Sequence, residues 1–362
     1  MKIVSVLGTR PEIIRLSRII PALDGASEHT VIFTGQNYDT NLSDLFFKEL
    51  GLRDPDIKFE TRQKTAMQQI GQIMADCEAA FTKIKPDRVL ILGDTNTGYA
   101  AVVAKRMGIP VFHMEAGNRC FDDRVPEEVN RRVIDHSSDI LMPYTERSRA
   151  NLIAEGFHPS RIYVTGNPIR EVLQYYQEQI AASDVLSRMS LSKKKYFLIT
   201  LHRAENVDVK ERLRDFADAL RQLSSTYDCP VICSVHPRTR AKLDSFGLSL
   251  NTGGLIAMEP FGLFDFVNLE QNALCVLSDS GTVQEECCLF KVPNVTLRDV
   301  TERPETVECG SNFISGCSSS QILAGTQIAI QAAGNWVVPA EYMASNVSNT
   351  VLRILAASYL KL

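Results

Sequence analysis

Short apolar segments alternate with longer amphipathic segments along almost the whole chain, and this alternation restricts the fold more than any other feature of the sequence. The segments with strand character are 2–7, 29–33, 88–92, 111–113, 140–142, 161–164, 196–200, 231–234, 255–258, 274–277 and 294–297. Helical periodicity lies between them, for example at 66–84, 99–107, 145–155, 210–227, 264–271 and 282–289. Strands that alternate with helices form parallel sheets covered on both faces, so the sequence predicts an α/β protein.

The length of the chain, 362 residues, exceeds that of one ordinary α/β domain and favours two. We predict Rossmann-like domains over 1–170 and 171–345, and a C-terminal helix at 346–362 that packs back on the first domain. The opening residues run directly into the first strand and are too few for a signal peptide. No apolar run approaches the roughly 20 residues of a membrane helix. We therefore expect a cytoplasmic protein.

Charge and cysteine content exclude several classes of partner. The formal net charge of -4 disfavours a surface for nucleic acid or anionic membrane. The nine cysteines are scattered, and no CxxC pair with a histidine partner occurs. We predict reduced thiols in the core and no metal site.

Polar residues cluster directly after many of the predicted strands. These clusters are 8–12, 93–96, 114–119, 202–206, 236–238 and 278–282. Ligands bind at the carboxyl ends of parallel strands. If the two sheets face each other by those ends, the clusters line a single cleft.

An anion site is predicted at the start of the helix near 282. Neither GxGxxG after the first strand nor GxxxxGK[ST] is present, which disfavours dinucleotide and P-loop sites. Ser280 and Gly281 open the helix, whose free N–H groups and dipole suit a diphosphate, and Arg10 would add a bidentate cation. The alternative is that Ser280 is an ordinary N-cap and Gly281 a tight turn.

Three further residues have both a functional and a structural interpretation. Glu285 or Glu286, about one turn into that helix, can accept hydrogen bonds from paired ribose hydroxyls, or it can be a surface acid that complements the dipole. Phe266 can stack on a base, or it can belong to the core.

Carboxylates and histidines indicate acid–base chemistry. Asp94 and Glu115 lie in loops after strands, and Glu127 and Arg131 share a helix face four residues apart. The alternative for that helix is a routine i,i+4 pair with acids favoured by the dipole. His202 and His236 each follow a strand, where either a catalytic or a structural role is possible. Together these groups would supply acids and bases with different pKa values.

The same segments resemble the non-hydrolysing UDP-N-acetylglucosamine 2-epimerase family, in order and over nearly the whole chain. They are GTRPE at 8–12, TGQ at 34–36, GDT at 93–95, HMEAG at 113–117, PEEVNR at 126–131, GNP at 166–168, HRAEN at 202–206, SDSGTVQEE at 278–286 and TERPE at 301–305. The resemblance implies a GT-B-like fold in which two Rossmann-like, doubly wound domains face a central cleft. It also implies a UDP-sugar substrate, no cofactor and a homodimer. In the family reaction UDP is eliminated across C1–C2 to give a 2-acetamidoglucal, and it adds back with inverted configuration at C2.

The resemblance also implies roles for individual residues. The acid–base and sugar-contacting candidates are Asp94, Glu115, Glu127, Arg131 and His202. The candidates for binding UDP or the rest of the substrate are Arg10, Arg15, His236, Phe266, Ser280, Gly281, Glu286 and Arg303. Asp94 and Glu115 are the first candidates for the C2 proton, and which of them removes it stays open. His202 and Arg131 are expected near the leaving phosphate.

The chain departs from well-known family members in three places. Arg15 replaces a usual lysine, the loop 118–125 is shorter, and Asn37 replaces a histidine common in enzymes with a regulatory UDP-GlcNAc site. The patterns at 116–128 and 36–39 look more like a side branch that acts on UDP-N-acetyl-L-fucosamine precursors or UDP-2,3-diacetamido uronic acids. A substrate whose sugar is modified at C3, C5 or C6 is therefore an open alternative.

Three other functions remain as alternatives. A hydrolysing epimerase would release free UDP and sugar. A GT-B glycosyltransferase would need an acceptor, and a nucleotide-sugar-binding protein would show no turnover.

Overall fold

The chain forms two compact units in a computed structural model that describes residues 1–36, 40–60, 63 and 65–357. The first unit contains Met1–Leu173 and Ala340–Leu362, and the second contains Gln174–Pro339. The chain returns to the first unit at Ala340, where the Asn167 N–H donates to the Glu341 carbonyl at 3.0 Å. Gly166 permits this contact, because a Cβ there would lie 2.4 Å from that of Ala344.

The first unit is built on a parallel sheet. Its strands are β1 (Lys2–Leu7), β2 (Glu28–Phe33), β3 (Ile57–Lys58), β4 (Arg88–Leu92), β5 (Val111–Met114) and β6 (Ile140–Met142). The order across the sheet is β3-β2-β1-β4-β5-β6. Its helices are α1 (Arg10–Leu16), α2 (Ile19–Asp24), α3 (Thr40–Glu49), α4 (Ala66–Ile84), α5 (Ala100–Arg106), α6 (Pro126–His136), α7 (Glu146–Ala154) and α8 (Ile169–Tyr175), which ends at the unit boundary.

The second unit repeats the same architecture. Its strands are β7 (Phe197–Leu201), β8 (Val231–Val235), β9 (Leu255–Met258), β10 (Cys275–Ser278), β11 (Asn294–Thr296) and β12 (Asn312–Ile314), in the order β12-β11-β10-β7-β8-β9. Its helices are α9 (Gln177–Ala181), α10 (Val185–Arg188), α11 (Ala204–Val207), α12 (Lys210–Tyr227), α13 (Pro237–Phe246), α14 (Leu263–Asn272), α15 (Gly281–Phe290), α16 (Pro304–Glu308) and α17 (Ser319–Gln331). Helix α18 (Val347–Ala356) closes the first unit.

The prediction of parallel sheets flanked by helices is confirmed, with one strand wrong and two missed. Segment 161–164 is not a strand: a 3-10 turn occupies Pro159–Arg161, and Ile162 makes a single bridge to Leu141. Strands β3 and β12 were missed because they have only 2 and 3 residues. Such short edge strands leave little periodicity to detect.

Helix α4 shows how the sequence specifies an element. Thr65 caps its start by accepting a hydrogen bond from the Gln68 N–H, and left-handed Lys85 ends it. Ile73, Cys77 and Phe81 recur at helical spacing and pack into the core beneath β1 and β4. Among the described helices, none has both the length and the apolar character needed to span a membrane.

Candidate functional site

In the first unit, β1 and β4 lie side by side where the strand order reverses, which is the usual ligand position in such sheets. Glu12 joins the two loops that follow them. Its buried carboxylate accepts hydrogen bonds from the N–H groups of Gly8 and Thr9, the latter at 2.9 Å, and from the Thr95 hydroxyl at 2.6 Å. Burial, assisted by the charge of Asp94, outweighs these hydrogen bonds and raises the pKa of Glu12 to about 7.

Glu12 was not among the residues predicted to be functional. A signal for it was present, since Thr9 and Glu12 have the spacing of a capping box, and both backbone donors are at the helix start. Arg10, the first residue of α1, lies over the ring of Phe46 at 5.6 Å.

Asp94 follows β4 and is held by Arg131 of α6. The Nε and Nη2 atoms of Arg131 lie 2.8 and 2.7 Å from Oδ2 of Asp94. The Asp94 side chain is 21% exposed, whereas that of Arg131 is 2% exposed. A partly accessible carboxylate is therefore fixed from behind by a buried cation, which is a suitable arrangement for acid–base chemistry.

Glu115 follows β5, the neighbour of β4, and has a left-handed backbone with φ of 65°. This conformation costs a non-glycine residue roughly 1–2 kcal/mol, and such strain is concentrated at functional sites. Its carboxylate lies 3.4 Å from Nη1 of Arg15 and accepts a hydrogen bond from Asn118 at 3.2 Å. Arg15 is 2% exposed and lies over the ring of Tyr144. Arg15 therefore contacts the site through Glu115.

A buried charged network lies behind Glu115. Asp135 contacts Nδ1 of His113 at 2.8 Å and accepts hydrogen bonds from the Gly117 N–H and from Arg119. Burial opposes ionisation of Asp135, but His113 and Arg119 together hold its pKa below the usual range. The network fixes the backbone on both sides of Glu115.

Helix α6 begins at Pro126, as predicted, and contributes adjacent glutamates with different environments. Glu127 is half-buried, whereas Glu128 is fully buried and lies 2.6 Å from Nη1 of Arg131. Sequence reasoning singled out Glu127, and the structure adds Glu128. The helical pattern does not distinguish them, because both occupy the first turn.

In the second unit, His202 and Asp279 meet where β7 and β10 lie side by side. Nδ1 of His202 is 3.0 Å from Oδ1 of Asp279. The carboxylate also accepts hydrogen bonds from the N–H groups of His202 and Arg203 and from Asn206. Asp279 is completely buried, which opposes ionisation, but the attraction of His202 and these hydrogen bonds lower its pKa to about 2.

This pairing defines the role that His202 can have. A hydrogen bond from Nδ1–H to Asp279 fixes the imidazole tautomer and leaves Nε2 available. The His202 side chain is 41% exposed, so Nε2 can meet a ligand. Asp279 lies inside the motif at 278–286 but was not predicted as a site residue.

The predicted helix start at Ser280 is confirmed. Ser280 is the N-cap of α15 in an extended conformation, and its N–H donates to Oγ of Ser278 at 3.0 Å. A Cβ on Gly281 would lie 2.7 Å from Oε1 of Glu302, so any larger residue there would have to displace the Glu302 carboxylate. The α15 start thus offers main-chain donors of the kind that bind phosphate.

Glu285 and Glu286 are both buried, which rules out the alternative that they are surface acids. Glu285 forms an ion pair with Nε of Arg303. Glu286 faces the buried carboxyl of Glu270, whose pKa is raised by burial and then by the negative charge of Glu286. Arg303 is therefore anchored within the protein by Glu285.

His236 and Phe266 have structural contacts within the second unit. His236 is the N-cap of α13, and its ring accepts a hydrogen bond from the Arg238 N–H at 3.3 Å. Phe266 is half-buried and packs against the core that contains Leu269 and Val276. The ring therefore has core contacts, and its stacking on a base stays a prediction.

Potential metal ligands and cysteines occur in the part of the chain that the structure describes. It contains no group of three or more His, Cys, Asp or Glu side chains that could hold a metal ion. Each of the nine cysteines is a free thiol. Asn37, which replaces the histidine common in enzymes with a regulatory UDP-GlcNAc site, lies outside the described residues.

Comparisons with known proteins agree with the motif pattern. The family model described as UDP-N-acetylglucosamine 2-epimerase matches residues 22–356. A UDP-N-acetylglucosamine 2-epimerase of Methanocaldococcus jannaschii is 42% identical, over 94% of this chain and 95% of that protein. The UDP-2,3-diacetamido-2,3-dideoxy-D-glucuronate 2-epimerase of Pseudomonas aeruginosa is 35% identical, over 89% of this chain and 90% of its own.

Solved structures give the same result. The M. jannaschii UDP-GlcNAc 2-epimerase in complex with UDP-GlcNAc and UDP has a TM-score of 0.93 and 40% identity, and the match covers 98% of this chain and 99% of that one. The Neisseria meningitidis UDP-GlcNAc 2-epimerase bound to UDP-GlcNAc has a TM-score of 0.89 and 27% identity, with the same coverage. Similarity to both extends over the two units.

Proposed function

The chain belongs to the UDP-N-acetylglucosamine 2-epimerase family, and we propose that it interconverts a UDP-2-acetamido sugar and its C2 epimer without a cofactor. In this reaction a base removes the C2 proton, the C1–O bond breaks, and UDP leaves to give a 2-acetamidoglucal. UDP then bonds to C1 again while a proton returns to the opposite face of C2. Atoms and electrons balance, since UDP and one proton leave and both return.

The first unit supplies the acid–base groups in this proposal. The observation that carries it is the pair Asp94 and Glu115, which follow adjacent strands and are each held by a buried arginine. An acid and a base on opposite faces of C2 are what inversion requires. Glu127 contacts the sugar. Arg131, which the resemblance also implies near the leaving phosphate, holds Asp94.

The second unit binds UDP in this proposal. The α15 start holds the diphosphate with the Ser280 side chain and with main-chain N–H groups from Gly281 onward, and His202 stabilises the charge that develops on the leaving phosphate. Glu286 accepts hydrogen bonds from the ribose. The proposal also assigns contacts with UDP to Arg10, His236, Phe266 and Arg303, as the family resemblance implies.

The substrate is a UDP-N-acetylhexosamine, with UDP-GlcNAc and UDP-ManNAc as the first candidates. Relatives named for UDP-GlcNAc and for a diacetamido glucuronate are both similar over most of the chain. Sugars with a modified C3, C5 or C6 therefore belong in the test.

The test uses a panel of UDP-GlcNAc, UDP-2-acetamido-2,6-dideoxy-L-talose and a UDP-diacetamido uronate in deuterated buffer, followed by NMR. We expect deuterium at C2 of one substrate, together with reversible formation of its epimer. Asp94→Asn should abolish the exchange, and Asp123→Asn, at an exposed acid of the neighbouring loop, should not. Stoichiometric free UDP would indicate a hydrolase instead. Tight binding without exchange would indicate a binding protein, and turnover that requires an acceptor would indicate a glycosyltransferase.

We also propose a cytoplasmic homodimer. Free thiols suit a reducing compartment, and the family resemblance supports the dimer. Light scattering coupled to size-exclusion chromatography measures the mass directly, and a monomer at working concentration would contradict the proposed homodimer.

A further inference from the structure

Glu128 joins two parts of the first unit that the sequence does not connect. Its carboxylate is completely buried and lies 2.6 Å from Nη1 of Arg131, which on its other side holds Asp94. The same carboxylate accepts hydrogen bonds from the N–H groups of Cys120 and Phe121, both at 3.0 Å. One side chain thus contacts both the shortened loop at 118–125 and the cation behind Asp94.

The loop that Glu128 holds is strained. Phe121 has a left-handed backbone with φ of 55°, and its side chain is 72% exposed. A bulky residue in this conformation costs roughly 1–2 kcal/mol and persists only when surrounding contacts enforce it. The two hydrogen bonds to Glu128 are such contacts. The thiol of Cys120 also lies 3.6 Å from Nη1 of Arg131, so the turn packs directly against the guanidinium.

Glu128 also affects how strongly the charge of Arg131 acts on Asp94. Arg131 lies between the carboxylates of Asp94 and Glu128, so its positive charge is divided between them. The ionised state of Glu128 is favoured, because hydrogen bonds from the loop and the charge of Arg131 outweigh burial and lower its pKa. Arg132 also contacts Glu128, with its Nη2 3.5 Å from Oε1 of the carboxylate, and its Nη1 pairs with Asp123. The Cys120 thiol and Glu12 of α1, which interacts with the charge of Asp94, are further titratable groups nearby.

We propose that Glu128 is a positioning residue for the chemistry at C2, which locks the turn at Cys120 and Phe121 against Arg131 and limits the share of the Arg131 charge that acts on Asp94. This inference rests on the proposed epimerase function. It adds a residue that touches neither UDP nor sugar.

The test compares Glu128→Gln, Glu128→Asp and the control Asp123→Asn. Glutamine keeps the shape and removes the charge, so Arg131 acts fully on Asp94. We expect kcat to fall by about tenfold to a hundredfold, the size of effect that a small misplacement of reacting groups produces. The acid limb of the kcat profile should move to lower pH. Aspartate keeps the charge but reaches less far, so kcat should fall while the acid limb stays in place. Asp123 is exposed and pairs with Arg132, whose other amino group lies 3.5 Å from Glu128. Its variant therefore separates an effect of Arg132 from one of Glu128, and it should match the wild type.

A second measurement does not depend on turnover. Amide hydrogen exchange at Cys120 and Phe121 should be faster in Glu128→Gln than in the control, and UDP affinity should be unchanged. A wild-type kcat and acid limb in folded Glu128→Gln would overturn the proposal, as would unchanged exchange at the turn. If the wild-type protein itself shows no deuterium exchange at C2, the proposed epimerase function is wrong. The amide measurement still tests whether Glu128 holds the turn at Cys120 and Phe121.

Discussion

The buried carboxyl of Glu12 should make the stability of the first unit depend on pH. Burial raises the pKa of Glu12 from 4.5 to about 7. A raised pKa means that the folded state binds the proton more tightly than the unfolded state does. The resulting stability is fully present below pH 4.5 and is lost as pH rises through about 7. At about 1.4 kcal/mol for each pKa unit, the loss is about 3 kcal/mol.

The perturbation is Glu12→Gln, which resembles the protonated side chain. Its carbonyl oxygen can accept the N–H groups of Gly8 and Thr9, and its amide can donate to Thr95. The variant does not titrate, so its stability relative to wild type should rise by about 3 kcal/mol between pH 4.5 and about pH 8. The control Glu28→Gln removes an exposed carboxylate that pairs with Lys2 and should leave the pH dependence unchanged.

The assay must report on the first unit alone, because the single tryptophan, Trp336, lies in the second. Native-state hydrogen exchange of the β1 and β4 amides gives the free energy of opening for this region. Parallel pH curves for wild type and Glu12→Gln would refute the assignment of a raised pKa to Glu12. If the stability of Glu12→Gln relative to wild type instead rose toward low pH, the pKa of Glu12 would be lowered rather than raised.

Two further predictions concern the second unit. Asp279→Asn should lower kcat by about tenfold to a hundredfold, because His202 loses the charge that fixes its tautomer; carboxylate partners of metal-bound histidines have effects of this size. In the wild type, about 2 kcal/mol of stability from Asp279 should be lost as pH falls from 3.8 through about 2. Acid titration monitored by Trp336 fluorescence would contradict this if the variant and the wild type behaved alike. Gly281→Ala should weaken UDP binding by about tenfold, because the added methyl group narrows the approach of a phosphate to the main-chain N–H groups of the α15 start. Calorimetry of UDP binding measures this, and wild-type affinity would contradict the proposal that the α15 start holds the diphosphate.

The local pattern of the sequence determined the elements and the residues available for chemistry. Helices 66–84 and 210–227 agree with the structure to the residue, because their apolar spacing and their ends are local properties. The predicted positions of Asp94, Glu115 and His202 after strands also agree with the structure for this reason. The order of the motifs identified the family, because a linear order needs no structure to be recognised.

Only the tertiary structure decided which of these residues meet. The strand order places β4 beside β1 and β10 beside β7, and this alone brings Thr95 to Glu12 and Asp279 to His202. Strand order depends on contacts between distant segments, which periodicity does not encode. Burial likewise decided that Glu128 holds Arg131 from inside while its neighbour Glu127 stays half-exposed. Adjacent positions in a first helical turn share one local signal, and the packing around them assigns their different roles.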